Sequence, residues 1–251
     1  MGKTKSDYNW QNTHRLTFFD SQTFETLIPM GFPVVFFDDF IRPANDATND
    51  WTEATEGTAA AVDITAAVNG YYRINTGTDV DSRNEISTAL VWEAAQGCGC
   101  EVRLKTTTSD ANLFLNFGFT DIATEGTGAI SWVDDSLATG TVDSVAQDAV
   151  MFGVRAETSD NIYALSVKAN ATPQSTDTGI DLVLATPHIY RIQLDALGNA
   201  RYFIDGNLVA EHLLAVTTTD DLCFTVAGLI TAGATAALID IDYVKIWQNR
   251  Q

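Results

Sequence analysis

The side chains that could carry acid–base or metal chemistry are dispersed along this 251-residue chain. Its three histidines, His14, His188 and His212, stand far apart, whereas a zinc site draws on four Cys or His ligands in paired spacings. Cys98 and Cys100 sit in Gly97-Cys98-Gly99-Cys100 and Cys223 stands alone. Close neighbours on extended backbone do not bridge readily, so free thiols are expected. The nine glutamates are mostly isolated. The closest two, Glu53 and Glu56, fall in a stretch that reads as a loop, at a spacing that would not set both carboxyls on one strand face. The chain has no Gly-x-Ser-x-Gly elbow, no His-Glu-x-x-His, no P-loop and no Asp-x-Asp-x-Asp-Gly calcium loop. The expectation is a protein that binds or builds and is not an enzyme.

The elements that must position any site are strands. From Val34 onward, β-branched and aromatic runs recur between Gly, Asn, Asp and Thr clusters, which predicts strands at 34–41, 70–75, 86–92, 100–107, 112–119, 149–156, 161–169, 188–195, 200–205, 207–212, 221–228 and 236–247. In Glu101-Val102-Arg103-Leu104-Lys105 the apolar side chains fall on one face at period two. Asp195–Asn199 is expected to turn one strand into the next, and Asp205-Gly206 to make a tight hairpin, because glycine accepts positive φ without steric cost. Residues 42–57 and 120–148 read as long irregular segments, with a short helical turn expected at 141–148. The second carries Ile130, Trp132 and Leu137, which need cover from their own domain or from a neighbouring subunit. The fold class predicted is all-β, a two-sheet antiparallel jelly-roll sandwich over residues 34–251, preceded by an extended arm over residues 1–33.

Composition narrows the partners. With 33 Asp+Glu against 14 Lys+Arg the net charge is −19, which repels phosphate backbones, so nucleic acid and anionic membrane are not expected. No stretch approaches the roughly 20 apolar residues of a membrane helix, and residues 1–8 lack the apolar run of a secretory signal, so synthesis in a cytoplasm is expected. The first fifteen residues run against the bulk charge: Lys3, Lys5 and Arg15 face only Asp7. Tyr8, Trp10, Phe18, Phe19 and Phe24 are interspersed there with polar residues, too many aromatics for a freely solvated tail.

The run from His188 to Asp195, followed by Tyr202-Phe203-Ile204-Asp205-Gly206, resembles the paired strands of concanavalin A-like lectin/glucanase and laminin-G-like domains. The closing Ile241-Asp242-Tyr243-Val244-Lys245-Ile246-Trp247 is similar to the last strand of laminarinase-type glycosidases of that superfamily, and Phe37-Asp38-Asp39-Phe40 to their opening strand. The resemblance implies the jelly roll; it does not imply the reaction, because one fold hosts many activities. Those glycosidases carry Glu-x-Asp-x-Glu or Glu-x-Asp-x-x-Glu on one strand face, since retaining hydrolysis needs two carboxyl groups ~5 Å apart. This chain has neither pattern. The resemblance also implies a possible structural calcium at Asp242, with Asp240 and Asp38 as further oxygen donors.

Two functions are expected from this reading. The Ala/Thr/Asp/Gly-rich makeup and high negative charge resemble those of tailed-bacteriophage particle proteins. The first expectation is therefore a capsid decoration or cement subunit on the virion exterior, a homo-oligomer guessed to be a trimer. Its partner would be the major capsid protein or another virion protein, met through Lys3, Lys5, Tyr8, Trp10, Arg15, Phe18 and Phe19. The second is a carbohydrate-binding module that stacks sugar rings on Trp51, Trp92 or Trp132.

Overall fold

The computed structural model describes residues 15–17, 27–29, 34–41, 51–57, 61–65, 70–80, 82–108, 112–122, 134–136, 141–143, 146–156, 159–231 and 235–250. Nineteen strands appear among them. In chain order they are β1 (Arg15–Thr17), β2 (Leu27–Pro29), β3 (Val34–Asp38), β4 (Thr52–Glu56), β5 (Ala61–Thr65), β6 (Tyr71–Asn75), β7 (Arg83–Ser87), β8 (Gly99–Thr108), β9 (Leu113–Thr120) and β10 (Asp134–Ser136). After these come β11 (Thr141–Asp143), β12 (Ala149–Arg155), β13 (Ser159–Val167), β14 (Gln174–Asp181), β15 (His188–Leu194), β16 (Ala200–Ile204), β17 (Asn207–His212), β18 (Cys223–Ile230) and β19 (Leu238–Gln248).

Two large sheets form, both antiparallel throughout. One is seven-stranded in the order β14-β13-β12-β9-β18-β7-β4. The other is eight-stranded, β17-β16-β15-β8-β19-β6-β5, with β3 also paired to β19. Strand β19 is long enough to hold β8 along one side while β6 and β3 share the other, which fixes the opening and closing segments side by side. Between the sheets lies an aromatic core containing Phe40, Trp51, Tyr72, Phe117, Phe119, Phe152, Tyr190, Tyr202 and Phe224.

Alternation explains which side chains enter it. Along β9, Leu113, Leu115, Phe117 and Phe119 point into this core, while Phe114 joins a second, smaller cluster with Ala149, Met151, Leu165, Val167, Ala227 and Leu229. The seven-stranded sheet is thus buried on both faces at β9 and β18, unlike the common antiparallel sheet with one wet face. Ile122 and Ala146, from the two ends of the 120–148 segment, pack against this second cluster, so that segment is anchored on its own domain at both ends. Ile130, Trp132 and Leu137 lie outside the residues whose side chains are described.

Several expectations need correction. The segment 42–57 contains β4, and 141–148 contains β11 in place of a helical turn. The strand expected at 86–92 sits at Arg83–Ser87, and the chain makes a 3-10 turn at Ala94–Gln96. Within residues 1–33, β1 and β2 pair as an antiparallel ladder, Arg15 opposite Pro29; the rest of the expected arm lies outside the described residues.

Candidate interaction surface

The carboxylates named by the resemblance are each held by protein partners. Asp38 accepts hydrogen bonds from the Phe40 amide and the Trp51 indole Nε1, both at 2.9 Å. Asp240 takes a forked pair from Arg73, 2.6 and 2.9 Å. Asp242 pairs with Arg103. These commitments do not fit a calcium site, and among the described residues no group of three His, Cys, Asp or Glu side chains could hold a metal ion. Glutamates are likewise engaged: Glu53 accepts from the Tyr72 hydroxyl at 2.5 Å, Glu101 from Tyr243 at 3.0 Å and Glu211 from Arg201 at 2.8 Å. Glu85 is fully buried in β7.

The sugar-stacking expectation is corrected for two of its three residues. Trp51 packs among Phe36, Phe40, Tyr72 and Phe224, and Trp92 is likewise buried in the core, so neither indole face is open to solvent. Their ring area is worth more in a core than on a surface, and each indole N–H finds an acceptor, Asp38 and Thr88. Trp132 lies outside the described residues, as do Lys3, Lys5, Tyr8, Trp10, Phe18 and Phe19; Arg15 opens β1. All three cysteines are buried free thiols, and burial pushes the Cys98 thiol up to about 12, far from reactive thiolate chemistry.

Strand register organises the outer face of the eight-stranded sheet. One row across it reads Phe203, Arg191, Glu101, Lys245, Phe37. The Arg191 guanidinium lies 4.4 Å from the Phe203 ring centre, and Lys245 reaches over Trp247. Trp247 covers Gly99, where a β-carbon would come within 2.6 Å of the indole, so only glycine admits this ring at that register. Burial lowers the Lys245 pKa, with Glu101 opposing the effect. The face carries a row of charged and aromatic side chains in which the buried Arg191 Nε has no hydrogen-bond partner among the described residues.

The end of the sandwich where β15 turns into β16 and β17 finishes is different. Here β3 and β8 begin and β19 ends, so the Gly97, Asp195–Asn199 and Leu213–Leu222 loops crowd together with Val34. Asp195 builds its turn by accepting from the Leu197 and Asn199 amides, and Asn199 in turn receives the Leu214 amide, locking two loops into one rim. That rim exposes Leu197 (68%), Leu213 (72%) and Leu214 (56%). Leu214 also has φ of 52°, a left-handed conformation that costs a leucine roughly 1–2 kcal/mol. Stiff, strained and apolar, the rim has the character of a contact site. Beside it opens a cavity of about 290 Å³ lined by Cys98, Leu194, Asp195, His212, Leu213 and Trp247.

The same end is acidic. Asp148, almost fully buried, accepts from the Thr217 amide and hydroxyl and from the Ala169 amide. Desolvation first, then the adjacent Asp148 and Asp221, raise the pKa of Asp220; burial and Asp148 do the same for Asp121. Crowded carboxylates of this kind favour a cation at the surface. The sequence marked Asp195–Asn199 as a turn and not as a contact site, because an exposed leucine in a loop carries no periodic signal.

Known structures agree with the architecture. A β-glucanase of Bacillus licheniformis superposes with a TM-score of 0.58 at 13% identity, covering 86% of this chain and 98% of that one. The fold is the concanavalin A-like jelly roll. A protein of unknown function from Shewanella oneidensis matches this jelly roll with a TM-score of 0.58 at 16% identity, over 86% of each chain. An endo-β-1,4-glucuronan lyase of Trichoderma reesei matches with a TM-score of 0.55 at 12% identity, over 86% of this chain and 95% of that one. No family model and no curated protein matches the sequence. Hydrolase and lyase on one scaffold at such identities establish the fold alone.

Proposed function

We propose that this concanavalin A-like body is a non-enzymatic structural protein of a virion, a decoration subunit that binds the assembled shell of a tailed bacteriophage. The observation that carries the reading is the rigid, acidic end that displays Leu197, Leu213 and Leu214 to solvent beside the start of β3, where residues 1–33 enter the body. Apolar side chains fixed in an exposed rim favour association. The engagement of Glu53, Glu101 and Glu211 with phenol or guanidinium partners supports a role without acid–base turnover. Many copies on a symmetric lattice then add weak contacts by effective concentration, and a ligand of the assembled shell alone stabilises that shell by mass action.

Co-sedimentation tests this. The full chain is expected to pellet with assembled shells and to stay in solution with dissociated capsid subunits. Equal binding to dissociated subunits, or turnover of a β-glucan by the purified chain, would reject the proposal.

A further inference from the structure

We propose that the rim of Leu197, Leu213 and Leu214 docks a basic protein face, one that presents apolar side chains surrounded by lysine or arginine. This rests on the decoration reading above and names the chemistry of the shell surface that the body meets.

Apolar exposure concentrates at this end of the sandwich. Of the twelve large apolar side chains exposed among the described residues, five lie here: Leu90, Val91, Leu197, Leu213 and Leu214. One loop joins them, because residues 213–222 start at the rim and finish where the Leu222 carbonyl accepts the Val91 and Trp92 amides at 3.1 and 3.0 Å. Between these points the loop is tied down. The Ala215 amide donates to the Gly198 carbonyl at 2.7 Å, the Thr217 amide to the Asp148 carboxylate, and the Ala95 amide to the Thr218 carbonyl at 2.9 Å. A surface fixed in this way loses little conformational freedom when a partner covers it.

Charge selects the occupant. The same loop places Asp220 and Asp221 between its two apolar groups. Glu93, Asp148 and Asp195 stand on the segments bonded to it, and the Asp121 amide donates to the Asp148 carbonyl. Among the described residues, Lys168 and Arg250 are the cations left at this end once Arg201 is paired with Glu211. Six carboxylates against two cations repel an acidic surface, and a second copy of a chain with net charge −19 is such a surface. A small cation would answer the charge and leave the leucines in water; nucleic acid and anionic membrane have the wrong sign. A basic protein face with apolar anchors answers both features, in the usual anatomy of an interface with an apolar centre and a polar edge. Opposite charges at such an edge act mainly on the rate of encounter, so ionic strength should govern association more than dissociation.

The test measures binding kinetics of the full chain on assembled phage shells, with an NMR titration of the same chain as a second readout. Wild-type affinity should fall about tenfold between about 50 and about 300 mM NaCl, mostly in the association rate. The double variant Asp220→Asn, Asp221→Asn should slow association about tenfold at the lower salt and remove most of the salt dependence, whereas Asp160→Asn with Asp181→Asn at the far end of β13 should change neither. Leu213→Ser should speed dissociation about tenfold and keep the salt dependence. In the titration, an amphipathic leucine/lysine peptide should saturably shift the amide signals of Leu197, Leu213, Leu214, Asp220 and Asp221, and leucine/glutamate and serine/lysine counterparts should bind about tenfold more weakly. Shell binding indifferent to the aspartate and leucine variants would overturn the inference and leave the decoration reading standing. Absence of shell binding would reject that reading, and the titration then decides the inference alone: no shift at the rim, shifts scattered over the body, or equal binding of the glutamate peptide would overturn it. Dissociation of a self-associated wild type by the rim variants, with no shells present, would also overturn it, because the rim would then be an interface between copies.

Discussion

Acidification is expected to weaken this fold through one histidine. His212 ends β17 at one edge of the eight-stranded sheet and reaches across to the other sheet. Its Nδ1 is 2.8 Å from Ser166 Oγ on β13, and its Nε2 is 3.0 Å from Thr176 Oγ1 on β14. Tyr202 beside it donates to the Leu165 carbonyl at 2.7 Å, so the imidazole sits in a polar seam that joins the sheet edges. Burial lowers its pKa from 6.5 to about 4. The unfolded chain therefore takes a proton below pH 6.5 that the native state refuses until about pH 4, and stability falls across that window. At 1.36 kcal/mol per pKa unit the loss is about 3 kcal/mol, undiscounted for screening because only 3% of the residue is exposed. Asp121 and Asp220 have raised pKa values and act in the opposite direction, so the wild-type curve alone is composite. The assay is urea unfolding of wild type and His212→Gln at pH 7 and pH 4. The stability difference between the two proteins should shift by about 3 kcal/mol in favour of the variant on going to pH 4, roughly 1 M in the urea midpoint. A difference that stays constant with pH would refute the reasoning.

Other outcomes follow from the packing. Trp51→Ala removes the centre of the aromatic core and one of the donors to Asp38, and should cost about 3–5 kcal/mol in chemical unfolding. Arg73→Met leaves the buried Asp240 carboxylate without its forked partner and should cost about 3 kcal/mol, whereas Arg201→Met at the exposed pair with Glu211 should change stability by less than about 1 kcal/mol. Gly99→Val drives a side chain into the Trp247 indole and should cost about 1–3 kcal/mol, visible also as a change in tryptophan fluorescence. Chelation with EDTA should leave the melting temperature unchanged, since Asp240 and Asp242 are paired with arginines and Asp38 is held by the Phe40 amide and the Trp51 indole.

The strands with alternating apolar residues were legible from sequence, and so were the turns at Asp195–Asn199 and Asp205-Gly206. Three of those that escaped share a position. β4 and β14 are the two edges of the seven-stranded sheet and β5 is an edge of the other; Thr52–Glu56 and Gln174–Asp181 carry little apolar alternation, and Gln174–Asp181 is exposed at most positions. An edge strand is specified by its neighbour's hydrogen bonds, and those are invisible in its own residues. Tryptophans misled for the opposite reason: a short polar neighbourhood around Trp51 read as a loop, while Asp38, thirteen residues earlier, holds the indole in the core. The aspartates at 240 and 242 were correctly assigned to the closing strand, but the arginines that claim them lie on β6 and β8, at separations of 167 and 139 residues. The acidic leucine rim depends on loops brought together only by the fold.

Cryo-electron microscopy of assembled phage shells mixed with the purified chain addresses the central claim most directly. Ordered jelly-roll density on the outside of the shell is predicted, with the Leu197, Leu213 and Leu214 rim turned toward a neighbouring subunit. Particles that lack the chain, or density in which that rim faces open solvent on every copy, would contradict the account.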